Sequence, residues 1–233
     1  ELSKSNEENN MRYYPICLDI RNRSCLVVGG GSVGTRKVKT LLDCGARVTV
    51  VSPDISEALV ELARHEQVKL MQRTYHAGDL KGMFLVVGAT DDEQLNRQIS
   101  RDAEKLNVLC NIADRPEICN FILPSIVHRG DLTISISTSG KSPAMAKRLR
   151  KELEMQFGEE YAVFFRLMGA IRKKLLGRRH EPEAHKPVFE QLINNGLLDL
   201  ICNDRKEDIN TLLYNVLGEG YRYESLMQSV RDI

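Results

Sequence analysis

No stretch of the 233-residue sequence reaches the ~18 consecutive apolar residues that a membrane-crossing helix needs, and no secretory hydrophobic segment is recognisable. A membrane partner is therefore not expected, and the setting is read as cytoplasmic. An excess of one charge is missing too: 33 Lys and Arg stand against 32 Asp and Glu, a formal charge of +1. The field of the whole molecule thus offers nothing to nucleic acid, and any charge-driven recognition must be local. The six cysteines never fall at Cys-x-x-Cys spacing and the five histidines are scattered, so no metal site is expected. Three of the cysteines lie in apolar runs that read as strands, which points to buried, reduced thiols. Internal repeats and low-complexity tracts are absent. What remains is 42% hydrophobic and 28% charged, the balance of a folded globular chain with one large domain or two smaller ones.

From Ser24 the pattern alternates short β-branched runs with amphipathic stretches, the reading of successive βα units in a parallel sheet. Strands are expected at 25–28, 47–52, 68–71, 84–89 and 108–112, with helices at 33–44, 55–65 and 91–106 between them. After Pro124 the rhythm changes. Residues 132–138 (LTISIST) alternate with period two, 142–157 read as a helix with Pro143 in its first turn, and from Glu160 the chain is helical and charged.

Gly29-Gly30-Gly31-Ser32-Val33-Gly34 satisfies G-x-G-x-x-G between a strand and a helix, the context that gives the motif meaning. Gly29 permits the tight turn, Gly31 lets a pyrophosphate approach the backbone, and Gly34 allows close packing of helix on strand. The amides of Ser32 and Val33 and the helix dipole then meet the phosphate charge. Asp54, after Pro53, is the acid available for ribose hydroxyls. Arg36 and Lys37 lie near the turn, but no arginine directly follows the second strand, which favours NAD over NADP. Thr90 and Asp91 end the fourth strand, where they either face ligand or cap the next helix.

Asn111-Ile112-Ala113-Asp114-Arg115-Pro116 follows the fifth strand and emerges at the same sheet edge. Removal of hydride from a carbon skeleton needs a group that takes the accompanying proton, and Asp114 is the candidate; the plainer reading is a turn-forming Asp-x-Pro. Ser137-Thr138-Ser139-Gly140-Lys141-Ser142-Pro143 is a hydroxyl- and glycine-rich turn into a helix, and from Lys141 to Lys151 five residues are basic and none acidic. With His128 and Arg129 this segment suits a substrate bearing several carboxylates, with two or three of the cations in contact. Arg172, Lys173, Lys174, Arg178 and Arg179 form a second basic cluster, read as charge bias at a helix end.

These motifs together resemble the NAD-dependent precorrin-2 dehydrogenases, a family that includes the N-terminal portion of siroheme synthase and the yeast-type bifunctional dehydrogenase and ferrochelatase. The likeness runs from about Tyr14 to at least Phe157, through VVGGGSVGTRK (27–37), ATDD (89–92), Asn-x-x-Asp-x-Pro (111–116), FILPS (121–125) and STSGKSP (137–143). It implies a homodimer built through the segment after Pro124 and a tetrapyrrole crevice enclosed by an NAD domain and a helical domain. It implies oxidation of precorrin-2 to sirohydrochlorin with NAD as cofactor, the family's essential aspartate falling at Asp114. Asn111, Thr138, Lys141, Ser142 and Lys147 are then substrate-binding candidates, and a serine that some relatives carry phosphorylated aligns with Thr138. Ferrochelatase activity is left open. No length for a methyltransferase domain follows residue 233, so methylation is expected of another protein.

The fold class expected is α/β: a Rossmann-type doubly wound parallel sheet at 1–123, with 1–10 a loose tail, then a small α/β dimerisation segment at 124–155 and a helical C-terminal domain at 156–233. Two other readings compete. A non-catalytic NAD-sensing module needs neither the carboxylate nor the cationic turn, and an NADP-linked reductase of a small ketone lacks its Tyr-x-x-x-Lys here.

Overall fold

The computed structural model describes residues 12–177 and 185–229. The tail at 1–10, and Arg178 and Arg179 of the second basic cluster, lie outside the described residues. The chain divides into two compact units, Glu1–Leu123 and Pro124–Ile233.

In the first unit five parallel strands, β1 (Ser24–Gly30), β2 (Arg47–Ile55), β3 (Val68–Met71), β4 (Leu85–Gly88) and β5 (Leu109–Ile112), lie in the order β3-β2-β1-β4-β5. Helices α1 (Ser32–Asp43), α2 (Glu57–Arg64) and α3 (Glu93–Lys105) connect them. A strand covered on both faces must be apolar at consecutive positions, and β1 is: Cys25 and Val27 pack with Val38, Leu41 and Leu59, whereas Leu26 and Val28 pack with Ile99, Ala103 and Tyr75. Each such side chain removed from water stabilises by about 1.5–3 kcal/mol. The chain builds β1, β2 and β3 outward in one direction, then returns to place β4 on the other side of β1. The reversal falls between β1 and β4, where sheets of this type open a crevice at the carboxyl ends.

Several expectations are corrected. Strand β2 does not end at Ser52 but runs through Pro53 and Asp54 to Ile55. Its pairing with β1 jumps from Val28↔Val51 to Gly30↔Ile55, and the irregular stretch tolerates a proline because no ladder N–H is required there. Buried thiols hold for Cys25 and Cys110 only. Cys119 is half-buried, and Cys17, Cys44 and Cys202 are exposed, because Cys17 precedes the sheet, Cys44 follows α1 and Cys202 ends a helix.

The second unit opens with an antiparallel ribbon, β6 (Ser125–Arg129) and β7 (Leu132–Ile136), joined by the two-residue turn Gly130-Asp131. Alternation leaves Thr133 and Ser135 exposed and Leu132, Ile134 and Ile136 partly covered. Helices α4 (Pro143–Gln156), α5 (Glu160–Leu176), α6 (Lys186–Asn194), α7 (Leu197–Cys202), α8 (Lys206–Leu217) and α9 (Tyr223–Gln228) follow. Leu167, Ile171, Leu192, Leu197, Ile209 and Leu213 form a helical core. Among the described residues no helix is long and apolar enough to cross a membrane.

Candidate functional site

At the β1–α1 turn the backbone dictates glycine at three positions and leaves it free at a fourth. Gly29 has φ 119°, and a Cβ there would run into the Ala89 carbonyl of the β4 end. A Cβ on Gly30 would strike the Asp54 carbonyl of β2, and one on Gly34 the Gly29 carbonyl. Gly31 differs: among the described residues, its chain neighbours aside, no atom lies within 4 Å of where its Cβ would be, which leaves room for a ligand to approach the backbone there. Behind it the Thr35 N–H donates to Gly31 O at 2.9 Å, the first bond of α1. The amides of Ser32, Val33 and Gly34 therefore precede any intrahelical acceptor, and the first turn carries no acidic residue. An anion meets unclaimed N–H groups, the positive end of the helix dipole and no competing carboxylate. The residues fit a dinucleotide pyrophosphate.

The turn is held from the β2 side. Ser56 N–H donates to Gly30 O at 3.0 Å, and the Thr35 and Ser56 hydroxyls share a hydrogen bond of 2.8 Å. Pro53 and Asp54 are exposed at the end of β2, and Pro53 O accepts from Gln72 Nε2 at 3.2 Å. On the β4 side Thr90 Oγ1 donates toward Asn96 Oδ1 at 3.1 Å, and Asn96, only 5% exposed, returns Nδ2 to Thr90 O at 2.8 Å. The cap of α3 is neither Thr90 nor Asp91: Asp92 Oδ1 accepts Leu95 N–H at 3.0 Å. One more residue of extended chain is needed to clear the Thr90–Asn96 pair before the helix begins.

Asp114 is exposed just past β5 with φ 60°, a left-handed conformation that Asp and Asn adopt at less cost than most residues. Strands spaced ~4.8 Å apart put the end of β5 about 10 Å across the sheet edge from the end of β1. Across the carboxyl edge the order is thus Asp54, the glycine turn, Thr90, Asp114. Lys37, in the second turn of α1, is half-buried. Burial lowers its ammonium from the usual lysine range, Arg36 adds to this, and the Asp114 carboxylate opposes both. Asp114 is therefore within electrostatic reach of the helix that the glycine turn opens. Its neighbour Arg115 pairs with Glu93 at 3.4 Å and Glu117 at 3.8 Å. Asn111 is 8% exposed and its Nδ2 donates to Phe121 O at 3.2 Å, which commits the amide to the segment after Asp114.

In the second unit Ser142 caps α4 by accepting Met145 N–H at 3.3 Å, and Thr138 Oγ1 accepts Ser142 N–H at 3.1 Å. Ser139 (φ 52°) and Gly140 (φ 80°) make the turn between them. Arg148 and Arg150 are taken up by Glu152 and Glu154, one helical turn on, and Arg129 is turned to Glu154 O and Glu159. Lys141, Lys147 and Lys151 have no carboxylate within 4 Å among the described residues, and Lys147 and Lys151 stand one turn apart on α4. Among the described residues no cluster of three His, Cys, Asp or Glu is set to hold a metal ion.

Sequence reasoning missed Gly30, Asn96 and the Cys119–Asn120 pair beside Asp114. An unbroken run of three glycines, one more than G-x-G requires, was a visible signal for Gly30; the others depend on tertiary contacts that no local pattern announces.

Comparison with known proteins agrees with this architecture. An NAD(P)-binding family model matches residues 16–125, and the model described as sirohaem biosynthesis protein central matches residues 129–156. The siroheme synthase of Methylococcus capsulatus is 33% identical over 214 residues, 92% of this chain and 45% of the relative; that of Ruthia magnifica is 37% identical over 198 residues, 85% and 42%. The chain spans less than half the length of these relatives. The solved structure of SirC, a precorrin-2 dehydrogenase, matches with a TM-score of 0.70 at 25% identity, over 95% of this chain and 100% of that one. Over about nine tenths of its length the chain is thus similar to part of these siroheme synthases, with the residues that match the NAD(P)-binding model followed by those that match the sirohaem central model.

Proposed function

We propose that the chain is an NAD-dependent dehydrogenase that converts precorrin-2 to sirohydrochlorin. The observation that carries the reading is the order of groups on one sheet edge: a ribose acid at Asp54, a bare, acid-free glycine turn, and a carboxylate two strands further at Asp114. The relation to siroheme synthases and to SirC supports the choice of substrate.

When bound, NAD supplies the acceptor for the hydride that leaves the substrate carbon. The chain's own residues do the rest. The amides of Ser32 and Val33 hold the pyrophosphate at Gly31, Asp54 accepts from ribose hydroxyls and disfavours a 2′-phosphate there, and Thr90 with Asn96 fixes the β4 end. Asp114, as a carboxylate, takes the proton lost with the hydride. Substrate carboxylates are met by Lys141 and Lys147, two of the three lysines of this segment with no carboxylate within 4 Å among the described residues, with the Thr138 and Ser142 hydroxyls nearby on the same turn.

The assembly proposed is a homodimer through residues 124–155. A two-stranded ribbon is marginal alone, and β6–β7 has no further strand on either side among the described residues, with Ile126 42% exposed on it. A cytoplasmic setting agrees with the exposed free thiols Cys17, Cys44 and Cys202.

Anaerobic incubation with precorrin-2 and NAD⁺, following reduced nicotinamide and the pigment spectrum, tests the activity. Stoichiometric formation of both products is expected; NAD⁺ binding without oxidation of the tetrapyrrole would instead make the chain a sensing module. Repetition with ferrous ion measures iron insertion against the spontaneous rate.

A further inference from the structure

Asp114 is the third residue of a tight turn. The Arg115 N–H donates to Ile112 O at 3.3 Å, which closes residues 112–115, and Asp114 supplies the positive φ that such a turn demands. One side chain grips both ends of it. Cys119 Sγ accepts the Ile112 N–H at 3.1 Å, and its own S–H has Arg115 O at 3.1 Å, nearer than Ile112 O at 3.4 Å.

The sulfur is seated there by its neighbour. Asn120 pairs with the outer edge of β5 as another strand would: Oδ1 accepts Cys110 N–H at 2.7 Å, Nδ2 donates to Val108 O at 3.0 Å, and its backbone N–H donates to Cys110 O at 3.1 Å. The flanks are tied as well, by Ser100 Oγ to Ile118 O at 2.7 Å and by Asn111 Nδ2 to Phe121 O. Burial pushes the Cys119 thiol up from its ordinary range, so it stays protonated at neutral pH and keeps its donor. An alanine at 119 would leave the Ile112 N–H and the Arg115 carbonyl without these partners, and the turn free to relax out of the left-handed form.

We propose that Cys119, seated by Asn120, is a positioning residue for Asp114: a thiol clamp between Ile112 and Arg115 that sets the direction of the carboxylate without itself touching substrate. The proposal rests on Asp114 acting in the dehydrogenation proposed above.

The test combines Cys119→Ala, Cys119→Ser and Asp114→Asn with hydrogen exchange at the Ile112 amide. Cys119→Ala is expected to lower kcat ~10-fold, with KM for NAD⁺ and precorrin-2 within about twofold of wild type, because orientation rather than binding is lost. Ile112 exchange should quicken ~10-fold while Cys110, held by Asn120, stays protected. Serine, which can accept and donate but reaches less far, should restore part of kcat. In the Asp114→Asn background Cys119→Ala should cause no further loss, since it acts through that carboxylate. Wild-type kcat in Cys119→Ala, or an equal loss in the Asp114→Asn background, would overturn the proposal. Should the alanine variant not fold, the same cycle is run with serine, with the same outcomes deciding. Unchanged Ile112 exchange in a folded variant refutes the clamp whether or not the chain oxidises precorrin-2, so failure of the clamp and failure of the activity are separable.

Discussion

Gly31→Ala and Gly34→Ala, two changes of one methyl group three residues apart, should have opposite consequences. At Gly31 the backbone has φ −79° and ψ −168°, which any L-residue adopts, and the added Cβ meets nothing within 4 Å. Alanine there restricts the unfolded chain, a gain of about 0.4–1 kcal/mol, against a few tenths to about 1 kcal/mol for a poorer helix N-cap. The two nearly cancel, so Tm should stay within about 2 °C of wild type. The methyl group does occupy the space assigned to the pyrophosphate, and overpacking of about 2 kcal/mol would weaken NAD⁺ binding ~30-fold. At Gly34 the Cβ would overlap the Gly29 carbonyl and lie 3.0 Å from its carbon. Both are backbone atoms, with no flexible side chain to yield, so about 3 kcal/mol of stability and roughly 10 °C of Tm should be lost. Calorimetric unfolding and NAD⁺ titration of the two variants separate the effects. Wild-type NAD⁺ affinity in Gly31→Ala would show that the phosphates do not cross that residue, and the fit argued for the turn would fail.

Three further outcomes follow from other parts of the structure. The Arg73 guanidinium grips Asp79 with bonds of 2.9 and 2.6 Å and holds its carboxyl below the usual carboxylate range. The folded value thus lies under the unfolded ~3.9, so this stabilisation is complete above about pH 4 and is lost as pH falls through the folded value. Arg73→Met should lower Tm at neutral pH and flatten the acid limb of Tm against pH; an unchanged limb would contradict it. Burial pushes the Cys25 thiol up to about 11 and the Cys110 thiol up to about 12, so an alkylating reagent on the native protein at mildly alkaline pH should modify Cys17, Cys44 and Cys202 and spare those two, as peptide mass mapping would reveal. Lys141→Ala and Lys147→Ala should each raise KM for the tetrapyrrole ~10-fold without altering NAD⁺ affinity, whereas Arg148→Ala, whose side chain is paired with Glu152 and 74% exposed, should change it less than about twofold.

The glycine turn and the apolar strands were legible because their causes are local. A strand buried on both faces cannot be other than a run like CLVV, and a strand-to-helix turn with a bare backbone must be written in glycine. The ribbon strand β6 escaped notice because SIVHR has only two apolar residues in sequence. Its signal was Gly130-Asp131, a two-residue hairpin turn with Gly130 at φ 57° between two short runs. The basic stretch from Lys141 to Lys151 does not itself show which two or three of its five cations are available, because the carboxylates that neutralise two of them, Glu152 and Glu154, lie just beyond it at helical spacing. The support of Asp114 was not legible at all: Cys119 and Asn120 act through backbone groups of the β5 segment seven to twelve residues earlier, and a side chain that imitates a neighbouring strand has no periodicity to betray it.

The most direct measurement is single-turnover oxidation of precorrin-2 by Asp114→Asn under anaerobic conditions with NAD⁺ at saturation. Asparagine suits the left-handed turn and keeps the shape of the side chain while removing its capacity to take a proton. The account predicts a rate at least ~10²-fold below wild type with NAD⁺ affinity within about twofold. Oxidation at the wild-type rate would contradict it, since the proton would then leave by a path that does not involve this carboxylate.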